Sequence, residues 1–142
     1  DIGAWSASSY QTIVEQTPKL FLVQVEPTAR HCAELKKAVG KSPAKDRIVT
    51  FCVAIGPSNL GDFAQFHESK HFLDGQCSSL KKFRKRARNV PANCVNQTST
   101  YQVPVLTLRT LLQLVPRPVR LLKVDAQGLD LSVTLSGEAE LR

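Results

Sequence analysis

No run of apolar residues in this chain approaches the roughly 18 that a bilayer-crossing helix requires, so no segment reads as a membrane span. No CxxC pair occurs, and no cysteine and histidine stand at zinc-ligand spacing, so no metal site is expected. Internal repeats and low-complexity tracts are also missing, which excludes solenoids and linker-like chains. The chain does not open on Met. Asp1-Ile2-Gly3 reads as the end of a strand, and Glu140-Leu141-Arg142 falls in or just after a helix. Residues 1–142 therefore read as one partial domain, without the start of its first strand or its late strands.

What is present is an ordinary globular composition, 42% hydrophobic and 22% charged, long enough for one domain with a core. Net charge is +7, and much of it sits in Lys81–Arg88, where six of eight residues are basic. Such a run can serve an anionic partner, or it can be a solvated face. Its one aromatic, Phe83, is few for a single-strand binder, which usually interleaves several stacking rings, so a nucleic-acid partner is not favoured. Cys32 and Cys52 fall inside apolar patterns and read as small buried hydrophobes. Cys77 and Cys94 lie in a less regular stretch. Asn96-Gln97-Thr98 fits a glycosylation acceptor, which matters only in a secreted protein, and the compartment is not fixed.

Taken in order, Ser6, Ser8 and Ser9 offer caps for a short helix through about Glu15, closed by Thr17-Pro18. Leu20–Val25 is apolar and branched, a strand ending at Glu26-Pro27. Thr28 opens a helix with Ala29, Cys32, Leu35 and Val39 on one face, and Gly40 reads as lying just past its end. Lys41–Asp46 reads as a polar loop. Ile48–Ile55 is a second buried-type strand, stopped by Gly56-Pro57-Ser58-Asn59. Asp62–His67 can form a hairpin strand. Periodicity is then lost over residues 68–100, an insertion or loop. Val103–Leu106 is extended, and Thr107 caps a helix through Leu114. Val119–Val124 is mostly apolar without alternation, the pattern of a strand buried on both faces.

Helices alternating with strands argue for an α/β fold with a mostly parallel sheet. Leu20–Val25, Ile48–Ile55 and Arg120–Val124 are expected as parallel neighbours. The ends of three strands then carry Asp1-Ile2-Gly3, Glu26 and Asp125 along one edge, where open α/β sheets bind ligands. A carboxylate at Glu26 offers two acceptor oxygens, which suits the paired hydroxyls of a ribose. Gly3 and Ala4 allow backbone to approach a ligand closely. DIGAWSASS has a single glycine, a poor match to a pyrophosphate cradle, so a nucleoside without phosphates fits better. The competing reading makes these acids helix caps at strand ends.

The blocks DIGAWSASS, LVQVEP, FCVAIG, VPVLTLRTLL and LLKVDAQGLDLSV, in this order, resemble those of FkbM-type methyltransferases, within the class I enzymes that use S-adenosylmethionine. The most specific are VPVLTLRTLL and LLKVDAQG. The resemblance implies a Rossmann-like sheet of seven strands that binds S-adenosylmethionine at its strand ends. Asp1 and Gly3 then fall near the methionine portion of the donor, and Glu26 matches the ribose acid. Ala54 and Ile55 lie beside the adenine, with Gln127 and Gly128 in the turn after Asp125. Asp125 falls near the transferred methyl and is the catalytic candidate. Trp5 and Ala7 stand where the family usually has Asn and Gly, and Arg109 where Asp is usual. The implied activity is O-methylation of a hydroxyl on a small-molecule or sugar-like acceptor, whose proton a base must take. His67 and His71 are secondary candidates for that base, and Ser78 and Ser79 resemble a block near the acceptor. A non-catalytic relic of the fold, suggested by Trp5 and Ala7, is the alternative.

Overall fold

The computed structural model of the chain describes residues 1–69, 77–82, 99–115 and 117–141. His71, Cys94, the Asn96 tripeptide and residues 83–88 of the basic run lie outside these. Lys81 and Lys82, at the start of that run, are exposed.

The fold is mixed α/β. Helix α1 (Gln11–Gln16) precedes strand β1 (Leu22–Val25), and helix α2 (Ala29–Lys41) leads to β2 (Ile48–Phe51). β1 and β2 pair in parallel, Leu22 opposite Ile48 through Val25 opposite Phe51. Branched side chains drive this pairing, and all four β1 residues are buried or half-buried. The one polar member, Gln24, is fully buried and donates Nε2–H to Thr50 Oγ1, its register partner, at 2.8 Å. Arg47 locks α1 to this pair by donating to the carbonyls of Val14, Thr17 and Leu20, which satisfies the end of a short helix.

The expected strand Ile48–Ile55 is two strands. The chain bends at Cys52-Val53, and β3 (Ala54–Ile55) leaves β1 to pair in parallel with β5 (Ser99–Leu106). β5 also pairs antiparallel with β4 (Phe63–Glu68), the expected hairpin strand, giving a mixed sheet in the order β3-β5-β4. A change of partner along one apolar run leaves no mark in residue types, which is why the run reads as continuous.

Two further expectations are corrected. Cys32 and Cys52 are not separate buried thiols: they form a disulfide, with Cα atoms 5.6 Å apart, between α2 and the bend. Cys77 is disulfide-bonded as well. Gly40 lies inside the last turn of α2, which runs on to Lys41 and stops at Ser42, and this turn occupies the start of the expected polar loop.

Val119–Val124 is not a strand buried on both faces. Its one bridge among the described residues joins Val124 to Ile2 in parallel. Leu122 and Val124 pack inward, whereas Val119 and Leu121 point out and are 45% and 66% exposed. Ile2 also bridges Val25 in parallel. Ile2 thus separates Val25 from Val124, and the expected direct contact of the two strands is replaced by contact through this residue.

Helix α3 (Leu108–Leu114) starts as expected, with Thr107 Oγ1 accepting the Thr110 N–H at 3.1 Å. Helix α4 (Asp130–Leu135) follows the Asp125 turn. Leu108 and Leu111 of α3 and Val133 of α4 close on Ile2, Val25 and Ile55, forming the core that sets the strand ends in place. Burying each such side chain contributes about 1.5–3 kcal/mol. No described helix is long and apolar enough to cross a membrane.

Candidate active site

Parallel pairing makes strand ends emerge together, and here it gathers three. Ile2 N–H donates to the Lys123 carbonyl and Asp125 N–H to the Ile2 carbonyl, both at 3.0 Å. On the other side Val25 N–H donates to the Asp1 carbonyl at 2.9 Å and Gly3 N–H to the Val25 carbonyl at 3.0 Å. Gly3, Glu26 and Asp125 therefore follow three adjacent segments and border one cavity of about 380 Å³, a small-molecule volume.

Gly3 has φ +74°, and a β-carbon built on it would collide with the Asp125 carbonyl oxygen. Glycine is required for this close approach. Glu26 is buried at 5% exposure. Its Oε2 accepts the Trp5 N–H at 2.9 Å and its Oε1 the Thr28 N–H at 2.8 Å. Each oxygen keeps a second acceptor position. Thr28 precedes α2 but its own side chain makes no cap bond, so Glu26 serves the start of the helix.

Trp5, the one tryptophan of the chain, also has a positive φ, +53°. Its ring lines the cavity and meets the His31 ring edge-on, centroids 5.7 Å apart. His31 is 1% exposed, and its Nε2 lies 3.0 Å from an Arg30 guanidinium nitrogen. Arginine only donates, so Nε2 is the acceptor in this contact. Val53, Ala54, Ile55 and Phe66 give the cavity an apolar wall.

Asp125 is about half exposed. Its Oδ1 accepts from Gln127 Nε2 at 2.9 Å, and its Oδ2 lies 3.6 Å from Lys123 Nζ. Lys123 Nζ also donates to the Gly3 carbonyl at 2.8 Å and lies 3.3 Å from Asp1 Oδ1. The following turn is capped by Asp130, which accepts the Ala126 and Gly128 N–H groups. Asp125 is thus relieved of capping. Opposite, Ser79 Oγ donates to the Gln127 carbonyl at 3.0 Å, which docks the Ser78–Leu80 wall onto this turn.

Of the residues expected at the site, Gly3, Glu26, Ala54, Ile55, Asp125 and Gln127 line this cavity, as do Ser78 and Ser79. Asp1 and Gly128 lie outside the lining. Asp1 is tied to Ser8 Oγ, at 2.7 Å, and to Lys123. His67 is also off the cavity, bonded to Thr100 Oγ1 at 3.2 Å, with burial and then Lys82 holding it below the usual imidazole range. Lys123, Thr28, His31 and Phe66 line the cavity although none was expected as a site residue, Thr28 having been expected only at the start of a helix. Two of them carried a signal. Lys123 interrupts an apolar run, and His31 shares the helical face of Cys32 and Leu35.

The chain is thus a mixed α/β domain with a cavity of small-molecule size at the ends of parallel segments. Compared with protein families, the chain matches the Methyltransferase FkbM domain over residues 1–141. It belongs to the FkbM methyltransferase family. No curated protein and no solved structure matches it.

Proposed function

We propose that the domain is an S-adenosylmethionine-dependent methyltransferase that methylates a hydroxyl of a small-molecule or sugar-like acceptor. In this reading β2, β1, the Ile2 segment and the Val124 segment are neighbouring strands of a Rossmann-like sheet. The observation that carries it is Glu26: a buried carboxylate at the end of β1, aimed by two backbone N–H groups, beside a cavity of small-molecule size.

The residues present fit such a donor. Glu26 retains an acceptor position on each oxygen for the ribose hydroxyls. Ala54, Ile55 and Phe66 provide an apolar surface for the adenine, and Gly3 lets main chain pass close beside the methionine portion. When bound, S-adenosylmethionine supplies a methyl group on an electrophilic sulfonium. The protein's share is then proximity and orientation, together with removal of the acceptor's proton. Asp125 borders the cavity and takes that proton on a carboxylate oxygen, while Gln127 and Lys123 fix its orientation. Asp1 and Gly128 act from behind the lining, Asp1 through Lys123 and Gly128 through the turn that Asp130 caps.

The relic reading has one observation in its favour: a large indole occupies the loop at Trp5 and lines the cavity. Calorimetric titration of the full-length protein with S-adenosylmethionine, followed by methyl transfer to a panel of hydroxylated acceptors, decides between them. Saturable binding with turnover supports the enzyme. Binding without turnover on any acceptor favours the relic, and no binding removes the donor reading.

A further inference from the structure

The Cys32–Cys52 disulfide joins two walls of the cavity. Cys32 follows His31 on the first turns of α2, and Cys52 precedes Val53 at the bend between β2 and β3; both His31 and Val53 line the cavity. The bend is where the chain leaves β1 for β5, so no strand ladder holds Cys52-Val53 in register. The crosslink supplies that restraint.

On the helix side its influence runs further. The start of α2 donates the Thr28 N–H to Glu26, and the His31 ring packs against the Trp5 ring. Trp5 in turn donates its N–H to the other oxygen of Glu26. Both donors that aim the carboxylate thus connect to the turn of α2 carrying Cys32, one through the backbone and one through a ring contact.

We propose that the Cys32–Cys52 disulfide is a positioning element of the nucleoside subsite, so that full donor affinity requires the oxidised pair. The proposal rests on the donor reading given above. Its partner in solution is a dithiol, which opens the pair by a two-electron reduction, each sulfur ending as a thiol and the dithiol as its own disulfide. Disulfides persist in oxidising surroundings, and there the subsite is held in its binding form.

The test uses the full-length protein and S-adenosylhomocysteine as probe, titrated by calorimetry. Differential alkylation and mass spectrometry assign the state of Cys32 and Cys52 separately from Cys77. The oxidised form is expected to bind with about tenfold higher affinity than the form reduced at this pair, at the same stoichiometry. By linkage, saturating probe should raise the dithiothreitol concentration needed to open Cys32–Cys52 by the same factor. This second measurement uses the native chain and does not depend on a variant folding. A purely structural crosslink would instead lower the fraction of binding-competent protein and leave the affinity of that fraction unchanged, which would overturn the proposal. A reduction midpoint unmoved by probe that binds would overturn it too. Absence of binding by the oxidised form would remove the donor reading and this proposal with it.

Discussion

The carbonyl oxygen of Asp125 occupies the place a β-carbon on Gly3 would need. Two chain segments far apart in sequence are thus in backbone contact at the edge of the cavity, and the contact tolerates only glycine. Gly3→Ala combines a steric overlap with a positive φ, costing about 2–4 kcal/mol together. Thermal unfolding should show a lowered midpoint, and donor binding should weaken because the Asp125 turn is pushed out of place. An unchanged midpoint would mean the two segments separate easily and do not jointly define the site.

Glu26 is predicted to act mainly in binding. A ribose contact is made equally in ground and transition states, so Glu26→Ala should raise the donor KM more than it lowers kcat. Losing hydrogen bonds to a charged acceptor costs roughly 1.5–3 kcal/mol, about ten- to a hundredfold in affinity. The same change strands the Trp5 and Thr28 N–H groups, so stability should also fall. Glu26→Gln keeps one acceptor oxygen and should recover part of both losses. Donor affinity unaltered in Glu26→Ala refutes the ribose assignment.

Tyr101, packed at 5.8 Å against Phe66, titrates far from its usual range. Burial first, and then the carboxylates of Glu68 and Glu26, push its phenol up to about 12, against the opposing effect of a hydrogen bond with Thr28. Its folded pKa exceeds its unfolded one. Between pH 10 and 12 the unfolded chain therefore releases a proton that the native state retains. The stability contributed is complete below pH 10 and is lost as pH rises through 12. The ultraviolet difference titration between wild type and Tyr101→Phe should show a phenolate midpoint near 12, and the variant should lose stability less steeply in that window. A difference midpoint near 10 would show that the phenol is solvated in the native state.

Much of the site was legible because its residues stand where local pattern changes. Glu26 ends an apolar run before Pro27, Asp125 ends another before a Gly turn, and Thr107 stands before helical periodicity. Such boundaries are local, and they survive into the fold. What was not legible depends on partners distant in sequence. Cys32 in an apolar helical face looks the same whether its sulfur is a thiol or is bonded to Cys52. Phe51 and Ala54 belong to one apolar run, and only the positions of β1 and β5 divide it. Val119–Val124 has the composition of a doubly buried strand, yet Leu121 faces outward and, among the described residues, only Val124 is bridged. His31 entered the cavity wall through a helix orientation that the Leu35 face already implied, but nothing local marks which buried histidine borders a cavity.

Asp125 separates enzyme from relic most directly. Its carboxylate is half exposed at the cavity edge, with Oδ1 held by Gln127 and Oδ2 toward Lys123. It is therefore oriented without being sequestered, as a proton acceptor must be. Asp125→Asn preserves shape and the link to Gln127 in part, but removes the negative charge and the basic oxygen. If Asp125 takes the acceptor's proton, kcat should fall by about 10²–10⁴-fold while donor affinity changes far less. Lys123→Met tests the support separately: it leaves Asp125 held by Gln127 alone and takes from the buried Asp1 carboxylate its ammonium partner, so stability should drop and kcat should fall less than in Asp125→Asn. The measurements are methyl transfer on the responsive acceptor, donor affinity by calorimetry and thermal unfolding for each variant. A kcat unchanged in Asp125→Asn would take the proton from this residue. Donor affinity lost in proportion to kcat would make Asp125 a donor ligand instead of the base.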